Sequence, residues 1–106
     1  MERKVVRIDG NRVRFVVPVD WGTEWAEGEL VDFDLAVIPE PWPEGRKGEG
    51  VWVCDPVTGQ RFTSASTREK ALLNLTAVVE LMGGAEQFGR DLQHRRAKDL
   101  RTRVEP

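Results

Sequence analysis

The stretch VWVCDPVTGQRFTSASTREKALLNLTAVVELM, residues 51–82, decides the fold of this chain. Its first half contains two runs typical of β-strands, VWVC at 51–54 and QRFTS at 60–64. The pentapeptide DPVTG at 55–59 separates them, with proline early and glycine last, as a turn favours. We therefore predict a β-hairpin over residues 51–64.

The second half of the stretch predicts an amphipathic helix over residues 67–82. Ser66 and Glu69 have the spacing of a capping box, in which each side chain accepts from the other residue's backbone amide. Gly83 and Gly84 follow and favour a left-handed C-terminal cap. The apolar positions share an arc of about 120°, which indicates a core-facing stripe: Ala71, Leu72, Leu75, Val78, Val79 and Met82.

The N-terminal region predicts a second hairpin over residues 4–17. KVVRI and RVRFVV flank the turn signal Asp-Gly-Asn at 9–11, and both runs are rich in β-branched residues. We expect Pro18 to end the second strand or to sit at a sheet edge, because proline cannot donate to a sheet ladder. Residues 19–29 lack a clean period and predict a loop.

Between the hairpins, residues 30–38 (LVDFDLAVI) alternate and predict a strand whose odd-numbered positions from Val31 to Val37 face the core. Residues 39–50 are rich in proline and glycine and predict a surface loop. A basic helix is predicted over 85–102, with Phe88 and Leu92 inward. Arg96 interrupts that inward face.

These elements predict one α+β domain spanning residues 1–106. We expect a mostly antiparallel sheet of four or five strands, the 67–82 helix on one face and the C-terminal helix beside it. With 106 residues and 40% hydrophobic content, the chain can bury one core. The single cysteine cannot form an intramolecular disulfide, and no apolar run approaches the roughly 20 residues of a membrane span, so we expect a cytoplasmic protein.

Charge is distributed unevenly along the chain. Residues 1–19 have five basic and two acidic side chains, residues 20–49 have two basic and nine acidic, and residues 85–106 have six basic and four acidic. Such asymmetry can steer a charged partner.

Catalytic and metal-binding patterns are weak. His94, the only histidine, falls on the polar side of the last helix, where a surface role and a general-base role are both conceivable. Cys54 lies in an apolar strand and suits a buried hydrophobe better than a nucleophile. Asp32 and Asp34 form a carboxylate pair about 7 Å apart on one strand face, either a solvated face or a cation or acid–base pair. We expect no cofactor, no metal and no enzymatic activity.

Two binding surfaces are predicted instead. Trp21, Trp25 and Trp42, with Asp32 and Asp34, lie in the acidic 20–49 segment, where tryptophan anchors either the loops or a protein partner. On the C-terminal helix a basic ridge could meet nucleic-acid phosphates: Arg90, His94, Lys98 and Arg101. The competing interpretation is a solvated ladder of opposite charges at four-residue spacing: Asp91, Arg95, Asp99 and Arg103.

One family resemblance bears on function. FDLAVIPEP at 33–41, GVWVCDPVTGQRFTSAS at 50–66 and TREKALLNLTAVVELM at 67–82 resemble the HicB antitoxin family. That family enters its helix with T-x-E-E-A-L-x-N, and similar positions here hold Thr67, Glu69, Ala71, Leu72 and Asn74. The resemblance covers about half of the chain. It implies a degenerate ribonuclease-H-like domain and a non-catalytic regulator or binder whose family partner is a small toxin. The hairpin at 4–17 is additional to the family pattern.

The sequence thus favours a non-enzymatic, orphan HicB-like protein-binding module that contacts a basic partner through its acidic, tryptophan-bearing 20–49 segment. The alternative is a nucleic-acid-binding accessory protein that uses the basic C-terminal helix. A homodimer formed through an exposed edge strand or through Leu73, on the polar side of the first helix, is a further expectation.

Overall fold

The computed structural model describes the backbone of residues 5–104 and the side chains as far as Asp99. Six antiparallel strands in this part of the chain form one sheet in sequential order: β1 Val6–Asp9, β2 Arg12–Val19, β3 Gly22–Leu30, β4 Ala36–Pro41, β5 Lys47–Cys54 and β6 Arg61–Ala65. Two helices follow, α1 Arg68–Leu81 and α2 Ala85–Val104. The predicted α+β class is confirmed, and the expected four or five strands become six. Lys4, in the predicted first strand, lies outside the described residues.

The additional strand is β3, over residues that predicted a loop. It pairs with β2 along its whole length, from Arg12 opposite Glu29 to Val19 opposite Gly22. Its inward positions include Ala26 and Gly28 rather than large apolar residues, which hides the alternation. Gly28 is required there, because a Cβ atom would overlap the carbonyl oxygen of Val37 on β4.

The predicted strand over 30–38 is wrong, because a 3₁₀ turn at Asp32–Asp34 divides it between β3 and β4. Phe33 and Asp34 there have positive φ angles of 62° and 55°. The Val31 amide donates to the Leu35 carbonyl oxygen over 2.7 Å and closes the connection between the two strands. An alternating pattern fits a straight strand and two strand ends equally well, so it could not reveal this turn.

The predicted 39–50 loop is also wrong, because β4 continues to Pro41 and β5 begins at Lys47, with a single 3₁₀ turn at Pro43–Gly45 between them. Pro18 does not end β2 but lies within it, opposite Thr23. The β1–β2 ladder reaches only Arg14, so β2 is paired on one side at Pro18, which agrees with the alternative of an edge position.

The sheet separates two cores. On one face, the helices pack against β4, β5 and β6, and the buried side chains are Leu35, Val37, Val53, Ala71, Leu75, Val79, Phe88 and Leu92. The opposite face buries Val13, Phe15, Val17, Ala36, Ile38 and Cys54. Neither described helix contributes to this second core, so the sheet covers it by curling on itself. Accordingly, the β5–β6 turn reaches β2: a Cβ atom at Gly59, where φ is +78°, would lie 2.9 Å from the Val16 carbonyl oxygen.

Helix α1 has the predicted stripe but a different N-terminal cap. Ala71, Leu75 and Val79 are buried, and the remaining stripe residues pack against the same core. Thr67, not Ser66, is the N-cap, since its hydroxyl accepts from the Lys70 amide over 3.2 Å. At the other end Gly83 and Gly84 take the expected positive φ angles, 101° and 94°.

Helix α2 is anchored by a buried ion pair. Phe88 and Leu92 are buried as predicted, and Arg96, one turn further on, is only 8% exposed. Its Nε donates to an Asp55 carboxylate oxygen over 3.1 Å, and its Nη2 donates to the carbonyl oxygens of Phe33 and Asp34 over 2.8 and 3.2 Å. The pair therefore joins α2 to the β5–β6 turn and to the 32–34 turn.

We predict that Arg96→Met lowers the free energy of unfolding by about 3–5 kcal/mol, because it leaves the fully buried Asp55 carboxylate without its cation. Urea denaturation measures the change. Arg95→Met is the matched control: Arg95 is exposed, donates to Gln60 over 2.8 Å, and should cost less than about 1 kcal/mol. Equal effects of the two substitutions would contradict an anchoring role for Arg96.

The helix cap gives a second prediction. Thr67→Ala should lower the free energy of unfolding by about 1 kcal/mol, because the Lys70 amide loses its acceptor. Ser66→Ala removes the neighbouring hydroxyl and should change stability by less than half as much. If Ser66→Ala has the larger effect in the same denaturation assay, the cap is Ser66 instead.

Candidate functional site

Three tryptophans, two from connections of the sheet and one from a strand, converge on one groove. Trp21 comes from the β2–β3 turn, Trp42 from the β4–β5 connection and Trp52 from β5. We call this cavity of about 720 Å³ the tryptophan groove, and its remaining lining residues are Pro18, Val19, Asp20, Glu40, Pro41, Pro43, Gly59 and Arg61.

Local structure fixes each tryptophan. Trp21 lies in a tight turn between Val19 and Gly22, which are opposite each other in the ladder. Trp42 precedes the Pro43–Gly45 turn, and its backbone amide donates to the Arg46 carbonyl oxygen over 3.1 Å. Trp52 pairs with Ile38 across β4 and β5. Because all three positions belong to turns or strands, the groove is largely preformed.

The aromatic surfaces remain open to solvent. Trp21 is 44% and Trp42 46% exposed, while Trp52 is half-buried. The Arg61 guanidinium carbon lies 4.6 Å from the centroid of a Trp52 ring, a cation–π arrangement. None of the three indole N–H groups has a hydrogen-bond acceptor among the described residues. The three tryptophans therefore combine solvent-accessible ring surface with indole donors that have no protein acceptor among the described residues.

The side chains that line the groove include two carboxylates and one cation. Asp20 is exposed beside Trp21, and Glu40 is half-buried on β4. Gly48 makes room for the Glu40 carboxylate, since a Cβ atom there would overlap it. With Arg61 as the basic lining residue, the lining charges favour a cationic ligand.

Trp25 lies on the opposite face of the sheet, away from the other tryptophans. It is opposite Val16 in the β2–β3 ladder and 41% exposed, and the Arg14 guanidinium carbon lies 4.7 Å from its ring centroid. It lines a second cavity of about 690 Å³, which shares Glu40 and Pro41 with the tryptophan groove and extends to the start of α1. There Arg68 pairs with Glu29 over 3.0 Å.

Asp32 and Asp34 are not part of the tryptophan groove either. They lie in the 3₁₀ turn rather than on a strand face, so the geometry predicted for the carboxylate pair does not occur. The backbone carbonyl oxygen of Asp34 accepts from Arg96.

The basic ridge predicted on the last helix is only partly described. Arg90 donates to the side chains of Glu86 and Gln87 over 3.2 and 3.3 Å, and His94 is exposed. Lys98 is exposed on the same helix, and the side chain of Arg101 lies outside the described residues. Nucleic-acid binding by this ridge stays a prediction.

Homodimerisation also stays a prediction. Leu73 is 71% exposed on α1. The edge strand β1 exposes Val6 and Ile8 at 45% and 46%.

Cys54 is inaccessible within the second core. Its exposed fraction is 0%, and burial raises the pKa of its thiol to about 12, with Arg61 lowering and Asp55 raising it by smaller amounts. A protonated thiol is a poor nucleophile and a poor metal ligand at neutral pH.

In the part of the chain with described residues, no group of three or more His, Cys, Asp or Glu side chains is placed to hold a metal ion. The helices found among those residues lack the length and apolarity that crossing a membrane requires.

Sequence reasoning missed Trp52 and Arg61 as lining residues, and Asp55 and Arg96 as a pair. The sequence did contain an indication for Arg96, because this residue lies on the same helix face as Phe88 and Leu92. A charged side chain on a buried face requires a buried partner. For Trp52, alternation with Val51 and Val53 indicated its strand face, but nothing indicated its nearness to Trp21.

Comparison with known proteins adds no evidence about these features. No protein-family model, no curated protein and no solved structure matches this chain significantly.

The buried thiol predicts a pH dependence of stability. Above pH 9.0, the ordinary pKa, the unfolded chain loses the Cys54 proton while the folded chain keeps it to about pH 12. The free energy of unfolding should therefore fall with rising pH in this window, by up to about 1.4 kcal/mol per pH unit. Urea denaturation of wild type and Cys54→Val between pH 8 and 11 isolates the effect of the thiol. Parallel curves for the two proteins would contradict it.

Proposed function

We propose that this protein is a non-enzymatic protein-binding module that holds a basic segment of its partner in the tryptophan groove. The observation that carries the proposal is the convergence of Trp21, Trp42 and Trp52 with the carboxylates of Asp20 and Glu40. No other described cavity combines several aromatic side chains with an excess of acidic groups.

The energetics of protein interfaces support this site. Tryptophan is enriched among the residues that dominate binding free energy, because it covers a large area with few rotatable bonds. Exposed indoles grouped in one depression leave apolar surface in water that a partner would remove. The groove is set by turns and strands, so little ordering entropy opposes binding.

Charge supports a basic partner. Residues 20–49, which contribute Trp21 and Trp42, have nine acidic and two basic side chains. Their field would accelerate the approach of a positively charged segment and disfavour an acidic one. The effect should weaken as salt screens it.

The resemblance of residues 33–82 to HicB antitoxins belongs to the same proposal. That family is non-catalytic and its partner is a protein, a small toxin. The order of strand, hairpin and capped helix in this region supports it, and we propose an orphan HicB-like domain as the evolutionary source of the module.

The test uses two tryptophan variants that differ in location. Trp42→Ala removes an indole that is 46% exposed in the groove, whereas Trp25→Ala removes one that is 41% exposed on the other face. Purified wild type and both variants are used to capture proteins from source lysate, and bound proteins are quantified by mass spectrometry. We expect a basic protein that wild type and Trp25→Ala retain and Trp42→Ala loses, by about tenfold or more.

Far-UV circular dichroism establishes that both variants are folded. If the captured proteins are the same for wild type and Trp42→Ala, the groove is not the binding surface. If Trp25→Ala alone loses the partner, the cavity at Trp25 takes its place.

A further inference from the structure

We propose that the ligand of the tryptophan groove is a proline-rich segment in the polyproline II conformation that contains at least one arginine or lysine. This inference rests on the proposed function and specifies its ligand class. Three observations carry it: the ring faces, the indole donors and the carboxylates.

The surface of the groove suits a polyproline II helix. Its lining includes three tryptophans and three prolines, whose indole and pyrrolidine rings are flat and largely apolar. Proline side chains pack against aromatic faces in the grooves that recognise polyproline II segments. Such a segment is already extended before binding, so it loses little conformational entropy on docking.

The hydrogen-bond donors match the backbone of such a ligand. A polyproline II helix has no internal hydrogen bonds, and its carbonyl oxygens point outward. An indole N–H is a donor only, and those of Trp21, Trp42 and Trp52 have no acceptor among the described residues. Ligand carbonyl oxygens would accept from these donors in place of water, which a helix or paired strand, with its carbonyls already engaged, would do less readily.

The charged groups account for the basic residue in the ligand. Asp20 and Glu40 border the groove, and Arg61 already stacks on Trp52 at 4.6 Å. This contact shows that a guanidinium fits against an indole in this groove. A ligand cation near Asp20 or Glu40 would gain both an ion pair and a neighbouring ring face.

The experiment titrates the folded protein with synthetic peptides of about ten residues, which span about 31 Å as polyproline II. The main probe is a proline-rich peptide with two arginines. One control replaces its prolines by glycine and serine, and a second replaces its arginines by glutamate. A glycine–serine peptide with one trimethyllysine tests the competing idea of a cage for a methylated ammonium group. Isothermal titration calorimetry reports the affinity.

We expect the proline–arginine peptide to bind at least about tenfold more tightly than either control, because both shape and charge contribute. Trp42→Ala and Trp21→Ala should each weaken it by about tenfold or more, and Trp25→Ala by less than about twofold. Using both groove variants keeps the test valid if one of them fails to fold. The double variant Asp20→Asn, Glu40→Gln should bind the arginine peptide more weakly and lose most of the salt dependence.

The outcomes separate the ligand class from the function. If the glycine–serine control binds equally well, or only the trimethyllysine peptide binds, the polyproline inference is overturned. If no peptide binds but a lysate partner still depends on Trp42, the inference is overturned while the proposed function stands. If neither peptides nor partner depend on Trp42, both are overturned.

Discussion

The ion pair between Asp55 and Arg96 is the interaction on which the arrangement of this molecule depends. Both side chains are buried, at 0% and 8% exposure, so each has lost most of its hydration. A buried pair is tolerated only when good geometry and further hydrogen bonds replace that hydration. Asp55 also accepts from the Val57 amide and the Thr58 hydroxyl, over 3.1 and 3.0 Å.

The same pair explains two otherwise unfavourable features nearby. Phe33 and Asp34 have left-handed backbone conformations that non-glycine residues seldom adopt, and their carbonyl oxygens both accept from Arg96. The Phe33 ring meets Phe88 of α2 edge to face, with centroids 4.9 Å apart. Helix α2 thus contacts the turn between β3 and β4 in two ways, through the backbone carbonyl oxygens and through the Phe33 ring. The chain reverses its direction at this turn.

The curl of the sheet connects this architecture to the candidate site. The second core is closed by the sheet itself, with Gly59 of the β5–β6 turn against β2. That closure brings the β2–β3 turn, the β4–β5 connection and β5 to the same side of the molecule, where their tryptophans meet. Trp25 shares a strand with that region and is equally exposed, yet it falls on the opposite face because side chains alternate along β3. The face of the sheet on which a tryptophan lies therefore decides, more than local composition does, whether that tryptophan joins the shared groove or stays an isolated aromatic residue.

The sequence by itself determined the features that depend on neighbouring residues. The hairpin over 51–64, the α1 stripe, the glycines that end α1 and the inward placement of Phe88 and Leu92 follow from turn chemistry and periodicity, which act within a few residues. The choice of Thr67 over Ser66 as the cap did not follow, since both hydroxyls precede the helix and only the path of the chain out of β6 selects one.

Tertiary structure decided the rest. β3 was hidden partly because the close approach of Val37 requires a glycine at position 28, a contact that no local pattern contains. The Asp55–Arg96 pair joins residues 41 positions apart, and the tryptophan groove joins two connections and one strand of the curled sheet. Side-chain periodicity specifies which face of a helix or strand is apolar. Long-range packing specifies which of these faces meet. The candidate site of this protein forms only where such faces come together.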